Sequence, residues 1–375
     1  MIDPADFVDH LHKQGVTMYT GVPDSLLKHL GSHIMAVLPR EQHVIAANEG
    51  GAVAIAMGHY LRTGSPAVVY LQNSGIGNTI NPLLSLADPA VYGTPMLVIV
   101  GWRGQPGVKD EPQHVKQGRV MRALLDAIEL PWSVLPRDPR AAETTMSEAV
   151  KVTVDRSSPY VMLVEKGTFG DANVSLPAAS AEGLASREDA LISMADAVGS
   201  GAIIVSTTGM LSRELFEHRQ RTGQSSERDF LTVGGMGHAS SIALGIAMRE
   251  TEREVWCFDG DGALLMHLGG LAVIAHHAPP NYFHVVFNNG VHDSVGGQPT
   301  SVSVVDVAAT ATALGYRHAS STNDLASVAD TVAELRRNGG PALLELKVRP
   351  GNRPGIGRPT RTPAESKRAF MTALG

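Results

Sequence analysis

Gly260-Asp261-Gly262 and Asn288-Asn289 are the residues of this 375-residue chain whose types and spacing best suit chemistry. Each set closes an apolar run, EVWCF before the first and YFHVVF before the second, and 25 residues, Ala263 to Phe287, separate them. That length holds a helix (ALLMHLGGLAVIAHH), a Pro-Pro turn and a return strand, so a βαβ crossover would bring a carboxylate and a side-chain amide to one sheet edge. Both offer oxygen, which a hard cation such as Mg²⁺ prefers, and Mg²⁺ leaves its remaining positions to phosphate and water. Gly260, Gly262 and Ala263 lead into the following helix, whose free N–H groups suit a phosphate.

Other strand ends carry a matching set of small and polar residues. In the first half these are GVPDS with Asp24 and Ser25, NEGG with Glu49, QNSGIGN with Asn73, and GWRG with Arg103. In the second half they are STTG with Thr207, Thr208 and Gly209, followed by Ser212 and Glu214, then GGMGH with Gly234, Met236 and His238, and finally NNG followed by Val291 and His292. Glu49 follows an apolar strand and opens a helix, so it reads either as a carboxylate capping the helix dipole or as a desolvated acid with a raised pKa. Met236 between glycines reads either as core packing or as a wedge under a ligand.

The elements that must position these residues form a parallel α/β pattern in both halves. Strand-like runs VTMYTG, HVIAA, AVVYLQ, MLVIVG and PYVMLVE alternate with helical stretches, among them NEGGAVAIAMGHYLRTG and the segment after Gly118. AIIVS, FLTV, EVWCFDG, YFHVVFNN and PALLELKV repeat the pattern, so two open parallel-sheet domains are expected, over 1–170 and 188–375, joined by a small-residue linker at 171–187. Open parallel sheets bind ligands beyond the carboxyl ends of their strands, where all of the residues above fall.

Composition narrows the function classes. A net charge of -6 argues against a nucleic-acid partner, and the lone Cys257 allows neither an internal disulfide nor a Cys-ligated cluster. The N-terminus lacks the basic-then-apolar order of a signal peptide and no apolar run approaches 18 residues, so a protein with no membrane partner, in the cytoplasm, is expected. Against the overall acidity, residues 101–122 carry a local charge of +3 from Arg103, Lys109, Lys116, Arg119 and Arg122 against Asp110 and Glu111. Their stretch GQPGVKDEPQH reads as a mobile loop. The tail from Lys347 carries +6 and reads as a solvated extension, or as a segment folding over a site entrance or a neighbouring subunit.

Across essentially the whole chain, the order of GDG, 25 residues and NN, with YTGVPDSLLKHL, NEGGAVAIAMGHYLRTG, QNSGIGNTINPLLSLADP, GGMGHASSIALGIAM, NNGVHDSVGGQPT and GRPTRTP, resembles the thiamine diphosphate (ThDP) decarboxylases. The resemblance implies a pyrimidine-binding domain followed directly by a diphosphate-binding domain, with no middle domain. It implies Mg²⁺ on Asp261, Asn289 and the Val291 carbonyl, and Glu49 hydrogen-bonded to the aminopyrimidine N1′ atom. Met236 would hold the bent cofactor, the Gly234 carbonyl would accept from the 4′-amino group, and His238, Thr207, Thr208, Gly209 and Ser212 would line the diphosphate. Within the family these segments are most similar to those of enzymes acting on phosphonopyruvate. That implies a small anionic 2-oxo acid substrate, with Lys109, His114 and Lys116 as phosphonate or proton-transfer candidates and Asp24, Ser25, Asn73, Arg103, Glu214 and His292 lining the pocket. It further implies a homo-oligomer whose site is shared between subunits.

Sulfopyruvate is the neighbouring substrate, since sulfonate and phosphonate are both tetrahedral anions. A two-domain NAD-linked oxidoreductase is the other enzyme class, but no GxGxxG follows an expected strand and opens a helix. A silent ThDP-fold subunit is the non-enzyme reading, disfavoured because Glu49, Asp261 and Asn289 are all present.

Overall fold

The computed structural model describes residues 1–174 and 181–375, which form two compact units. The central part of the expected linker, 175–180, lies outside the described residues. In the first unit the order is α1 (Pro4–Lys13), β1 (Met18–Gly21), α2 (Lys28–Val37), β2 (His43–Ile45), α3 (Glu49–Thr63), β3 (Ala67–Gln72), α4 (Ile76–Pro82), β4 (Met96–Gly101), α5 (Pro112–Ala127), β5 (Trp132–Val134), α6 (Pro139–Arg156) and β6 (Pro159–Val164). Its sheet is wholly parallel, in the order β2-β1-β3-β4-β6-β5.

The second unit runs α7 (Arg187–Val198), β7 (Ile203–Ser206), α8 (Met210–Thr222), β8 (Asp229–Leu231), α9 (Ala239–Ala247), β9 (Val255–Gly260), α10 (Asp261–Met266), α11 (Gly270–His277) and β10 (Tyr282–Asn288). It continues with α12 (Val307–Leu314), a strand at His318–Thr322, α13 (Val328–Asn338), a strand at Ala342–Lys347 and α14 (Pro363–Leu374). Counted within the unit, its strands lie in the same spatial order as those of the first, again all parallel. Both sheets therefore reverse direction beside their first strand, at the type of crevice where such folds bind ligands.

The central strands are apolar throughout because both sheet faces are covered. Val68 and Tyr70 of β3 enter one core while Val69 and Leu71 enter the other, and Trp256 and Phe258 of β9 oppose Val255 and Cys257 in the same way. Good caps set the helix starts: Asn48 accepts from the Gly51 N–H, and Ser186 from the Asp189 N–H.

Four expectations need correction. The edge strands Trp132–Val134 and His318–Thr322 are present, although the second, HASST, is half exposed and has no apolar pattern to announce it. Helix α5 begins at Pro112, not after Gly118, because Pro favours the first helical turn. The expected crossover helix is broken into α10 and α11 around His267, Leu268 and Gly269. The tail is not a solvated extension: Arg353 pairs with Glu188 and Glu217, and the Phe370 ring of α14 packs edge-on against Phe230 at 5.4 Å. Among the described residues, no helix is long and apolar enough to cross a membrane.

Candidate active site

In the first unit, Glu49 is the first residue of α3 and is 6% exposed. Burial raises its pKa above the ordinary carboxylate value, offset in part by a hydrogen bond from Asn78 Nδ2 to Oε2 at 2.7 Å. The side chain lies against Gly75, where a Cβ would come within 2.7 Å of Glu49 Cγ. A helix-capping acid turns outward to solvent; this one is turned inward.

Asp24, at the end of β1, is fully buried, and burial lifts its pKa to about 6 against the backbone N–H groups of Leu26 and Leu27 and the nearby Arg103 charge. Its Oδ1 has no hydrogen-bond partner in the described structure. Gly101 gives it room, since a Cβ there would lie 2.9 Å from Asp24 Cγ. Asn73 and Arg103 exchange two hydrogen bonds, Nδ2 to the Arg103 carbonyl at 2.8 Å and the Arg103 N–H to Oδ1 at 3.1 Å. They tie the ends of β3 and β4 together.

The Arg103 guanidinium grips Asp110 with two nitrogens, Nε at 2.8 Å, and donates a third bond to Ser25 Oγ at 2.9 Å. Its charge is thus internally compensated, and the basic segment offers less free charge than its composition implies. Lys109 is exposed on the loop, whereas His114 and Lys116 sit on α5, correcting the expectation that His114 belonged to the loop. Lys116 points outward, while His114 is 8% exposed with Nδ1 unpartnered; burial first, and Arg103 second, depress its pKa and keep the ring neutral.

In the second unit, the two halves of the GDG…NN pattern meet. The Asp261 carboxylate is 2% exposed and accepts from Thr300 Oγ1 and from the backbone N–H groups of Asp261, Gly262 and Asn289. These donors are neutral and do not offset burial, which pushes the group up to about 6. A buried carboxylate with only neutral donors, beside the Asn289 amide, has the oxygen chemistry and the missing positive charge that suit a divalent cation. Val291 follows, its N–H donating to Asn289 Oδ1 at 3.1 Å.

Around Gly262 three predicted residues converge: a Cβ there would lie 3.0 Å from the His292 ring and 3.3 Å from Met236 Cε. Burial lowers the His292 pKa to about 4. The GGMGH loop takes positive φ at Gly235 (70°) and Gly237 (84°), and a Cβ on Gly237 would strike His267 Cδ2 at 2.6 Å. His238 packs its ring on His267, centroids 4.5 Å apart, and Gly234 lies at the start of this loop. Gly260 caps α10, and Ala263 is buried in its first turn.

Thr207 and Thr208 end in Gly209, whose φ of 103° demands glycine before α8. The Ser212 hydroxyl is taken up by Ser206 Oγ at 2.6 Å and the Thr207 carbonyl at 2.7 Å, so it shapes the loop instead of projecting from it. Glu214 receives the Arg187 fork at 2.8 and 3.0 Å and is 1% exposed.

The residues that sequence reasoning passed over are partners of the predicted ones: Gly75 and Asn78 for Glu49, Asp110 for Arg103, Thr300 for Asp261, Asp293 for Asn289, Arg187 for Glu214 and His267 for His238. Gly75 and Asn78 sit inside QNSGIGN, Asp110 inside GQPGVKDEPQH, and Asp293 and Thr300 inside NNGVHDSVGGQPT, so those segments are usable signals; Arg187 and His267 carry none. Cys257, Asp259 and His284 also come together, their ligand atoms within 4.8 Å, on one buried face of β9 and β10.

Comparison with known proteins agrees with this geometry. Residues 5–127 match the N-terminal TPP binding domain of thiamine pyrophosphate enzymes, and residues 207–346 match the C-terminal TPP binding domain. The chain is 39% identical to a phosphonopyruvate decarboxylase of Streptomyces viridochromogenes over 384 residues, covering 99% of this chain and 94% of that one. It is 37% identical to one of Streptomyces hygroscopicus, covering 99% and 93%. A sulfopyruvate decarboxylase of Methanosarcina acetivorans is 25% identical, covering 100% and 98%. With both cofactor-binding domains matched and near full-length similarity to such enzymes, this chain belongs to the thiamine diphosphate-dependent decarboxylase family.

Proposed function

We propose that this chain carries out the non-oxidative decarboxylation of 3-phosphonopyruvate to phosphonoacetaldehyde and CO₂, with ThDP and Mg²⁺, as a step in phosphonate biosynthesis, antibiotic phosphonates included. The observation that carries the reading is the near full-length similarity to two phosphonopyruvate decarboxylases, at 37% and 39% identity. ThDP, when bound, supplies a carbon nucleophile for the 2-oxo group and a sink for the electron pair released with CO₂.

The protein's own residues do the rest. Glu49, desolvated and facing inward, would hold or exchange a proton at the pyrimidine N1′. With ThDP bound, Met236 would pack against the cofactor and the Gly234 carbonyl would accept from its amino group. Asp261, Asn289 and the Val291 carbonyl would hold Mg²⁺, and Thr207, Thr208, Gly209, His238, Gly260, Gly262 and Ala263 would face the diphosphate, with Ser212 bracing that loop. Asp24, Ser25, Asn73, Arg103 and His292 line the substrate side, where Lys109 and Lys116 meet the phosphonate and neutral His114 handles a proton. Glu214, filled by Arg187, acts as structural support. The working form is a cytoplasmic homo-oligomer, with the pyrimidine-binding unit of one subunit serving the diphosphate-binding unit of another.

The test is purified protein with ThDP and Mg²⁺, assayed for aldehyde from phosphonopyruvate, sulfopyruvate and pyruvate in parallel. Phosphonopyruvate is expected to give the highest kcat/KM; a preference for sulfopyruvate would reassign the substrate, and no aldehyde from any would end the reading.

A further inference from the structure

Asn289 has a partner that decides which way its amide points. Its Nδ2 donates to Asp293 Oδ2 at 2.7 Å. An ionised carboxylate only accepts, so a flipped amide would set oxygen against oxygen. The amide oxygen is therefore directed away from Asp293, with one lone pair on the Val291 N–H at 3.1 Å and the other open to a cation.

Asp293 is itself pinned. Arg187 Nη1 donates to its Oδ2 at 2.9 Å, and the Gly351 N–H reaches both of its oxygens at 3.1 Å. Arg187 is 6% exposed and held by Glu214 Oε1 and Oε2 at 2.8 and 3.0 Å and by Asn352 Oδ1 at 2.5 Å. Only a guanidinium can serve these partners at once from one planar fork. One cation thus stands against two carboxylates, leaving net negative charge beside the place where a metal would bind.

We propose that Asp293 and Arg187 are positioning residues that aim the Asn289 oxygen at the metal, and that the same carboxylate couples metal binding to docking of the Gly351–Asn352 segment. The inference rests on the Mg²⁺–ThDP reading above. Coupling of this kind is reciprocal: what tightens the metal end also tightens the tail.

The test is Mg²⁺ titration of the full chain at saturating ThDP, followed by calorimetry, with amide hydrogen exchange at Gly351 as second readout. In a separate ThDP titration of the unaltered protein with and without Mg²⁺, the metal must raise ThDP affinity; if it does not, the cofactor reading itself fails. If it does, Asp293→Ala is expected to raise the Mg²⁺ half-saturation by roughly 10–100-fold. Asp293→Asn, which keeps one acceptor, is expected to raise it by only several-fold, and Mg²⁺ is expected to slow Gly351 exchange in the unaltered protein but not in Asp293→Ala. Should Asp293→Ala not fold, Arg187→Lys and Asp293→Asn are read in its place and are expected to shift the half-saturation by several-fold. Folded variants whose Mg²⁺ half-saturation stays within twofold of the unaltered protein overturn the proposal while leaving the cofactor reading intact.

Discussion

The wall behind the Glu49 side chain is the bare backbone of Gly75: a Cβ there would stand 2.7 Å from Glu49 Cγ and closer still to the carboxylate. An absent methyl group is thus what lets a buried acid lie along the end of β3.

Gly75→Ala is expected to act as a displaced-acid variant. The carboxylate can swing aside, so the fold should survive with little change in melting temperature, while turnover falls by about 100-fold or more, as for loss of a general acid or base. Glu49→Gln should match it. C2 proton exchange of bound ThDP, followed by NMR, checks both; exchange at the unaltered rate in Gly75→Ala would separate Glu49 from the chemistry.

Asn78 supplies the hydrogen bond that favours ionised Glu49. Removing it in Asn78→Ala leaves burial unopposed by that donor, so the pKa should rise further. The acidic limb of the pH profile of kcat is expected to move to higher pH, measured as initial rates between pH 5 and 9; an unmoved limb would separate Asn78 from the ionisation of Glu49.

Asp261 gives a pH dependence with a definite sign. Its folded pKa of about 6 exceeds the ordinary carboxylate value of 3.8, so in the metal-free protein the ionised form is the disfavoured one. Stability is greatest below about pH 4 for this group and is lost as pH rises through about 6, by about 3 kcal/mol in all. Metal-free Asp261→Asn should escape that loss and melt higher at pH 7, yet lose Mg²⁺-dependent ThDP binding. In the unaltered protein, Mg²⁺ affinity should fall about tenfold per pH unit below 6 and level off above it; calorimetry at pH 5, 6 and 7 reads the slope.

Arg103→Lys removes the planar fork that joins Asp110 to Ser25 and leaves the backbone link to Asn73. Because a lysine cannot make both Asp110 bonds, stability is expected to drop by about 1–3 kcal/mol, and KM for the 2-oxo acid to rise more than kcat falls as the 103–110 loop loosens. Thermal melts and steady-state rates check the two parts; an unchanged melt with unchanged KM would show that the fork carries neither.

Legibility followed the range of the signal. Glu49, Asp261 and Asn289 could be read because each follows an apolar strand, and strand ends in a parallel sheet share an edge. The 25-residue interval between GDG and NN fits one crossover, even though the helix inside it is broken near His267. HASST is illegible in the sequence because an exposed edge strand has no apolar alternation, and the start of α5 is masked because Pro112, a first-turn residue of the helix, suits a loop equally well.

Residue type and chain order alone determined the α/β repeat, the polar strand ends and the family, since these rest on local periodicity and on motifs short enough to read along the chain. Tertiary structure decided which charges are free: it closed Arg103 on Asp110, filled Glu214 with Arg187, and turned the Asn289 amide by means of Asp293. Those partners lie 4 to 27 residues apart, and Arg187 also reaches Asp293 across 106. Desolvation and hydrogen-bond direction arise only when such groups are brought into one buried volume, and no one-dimensional pattern carries them.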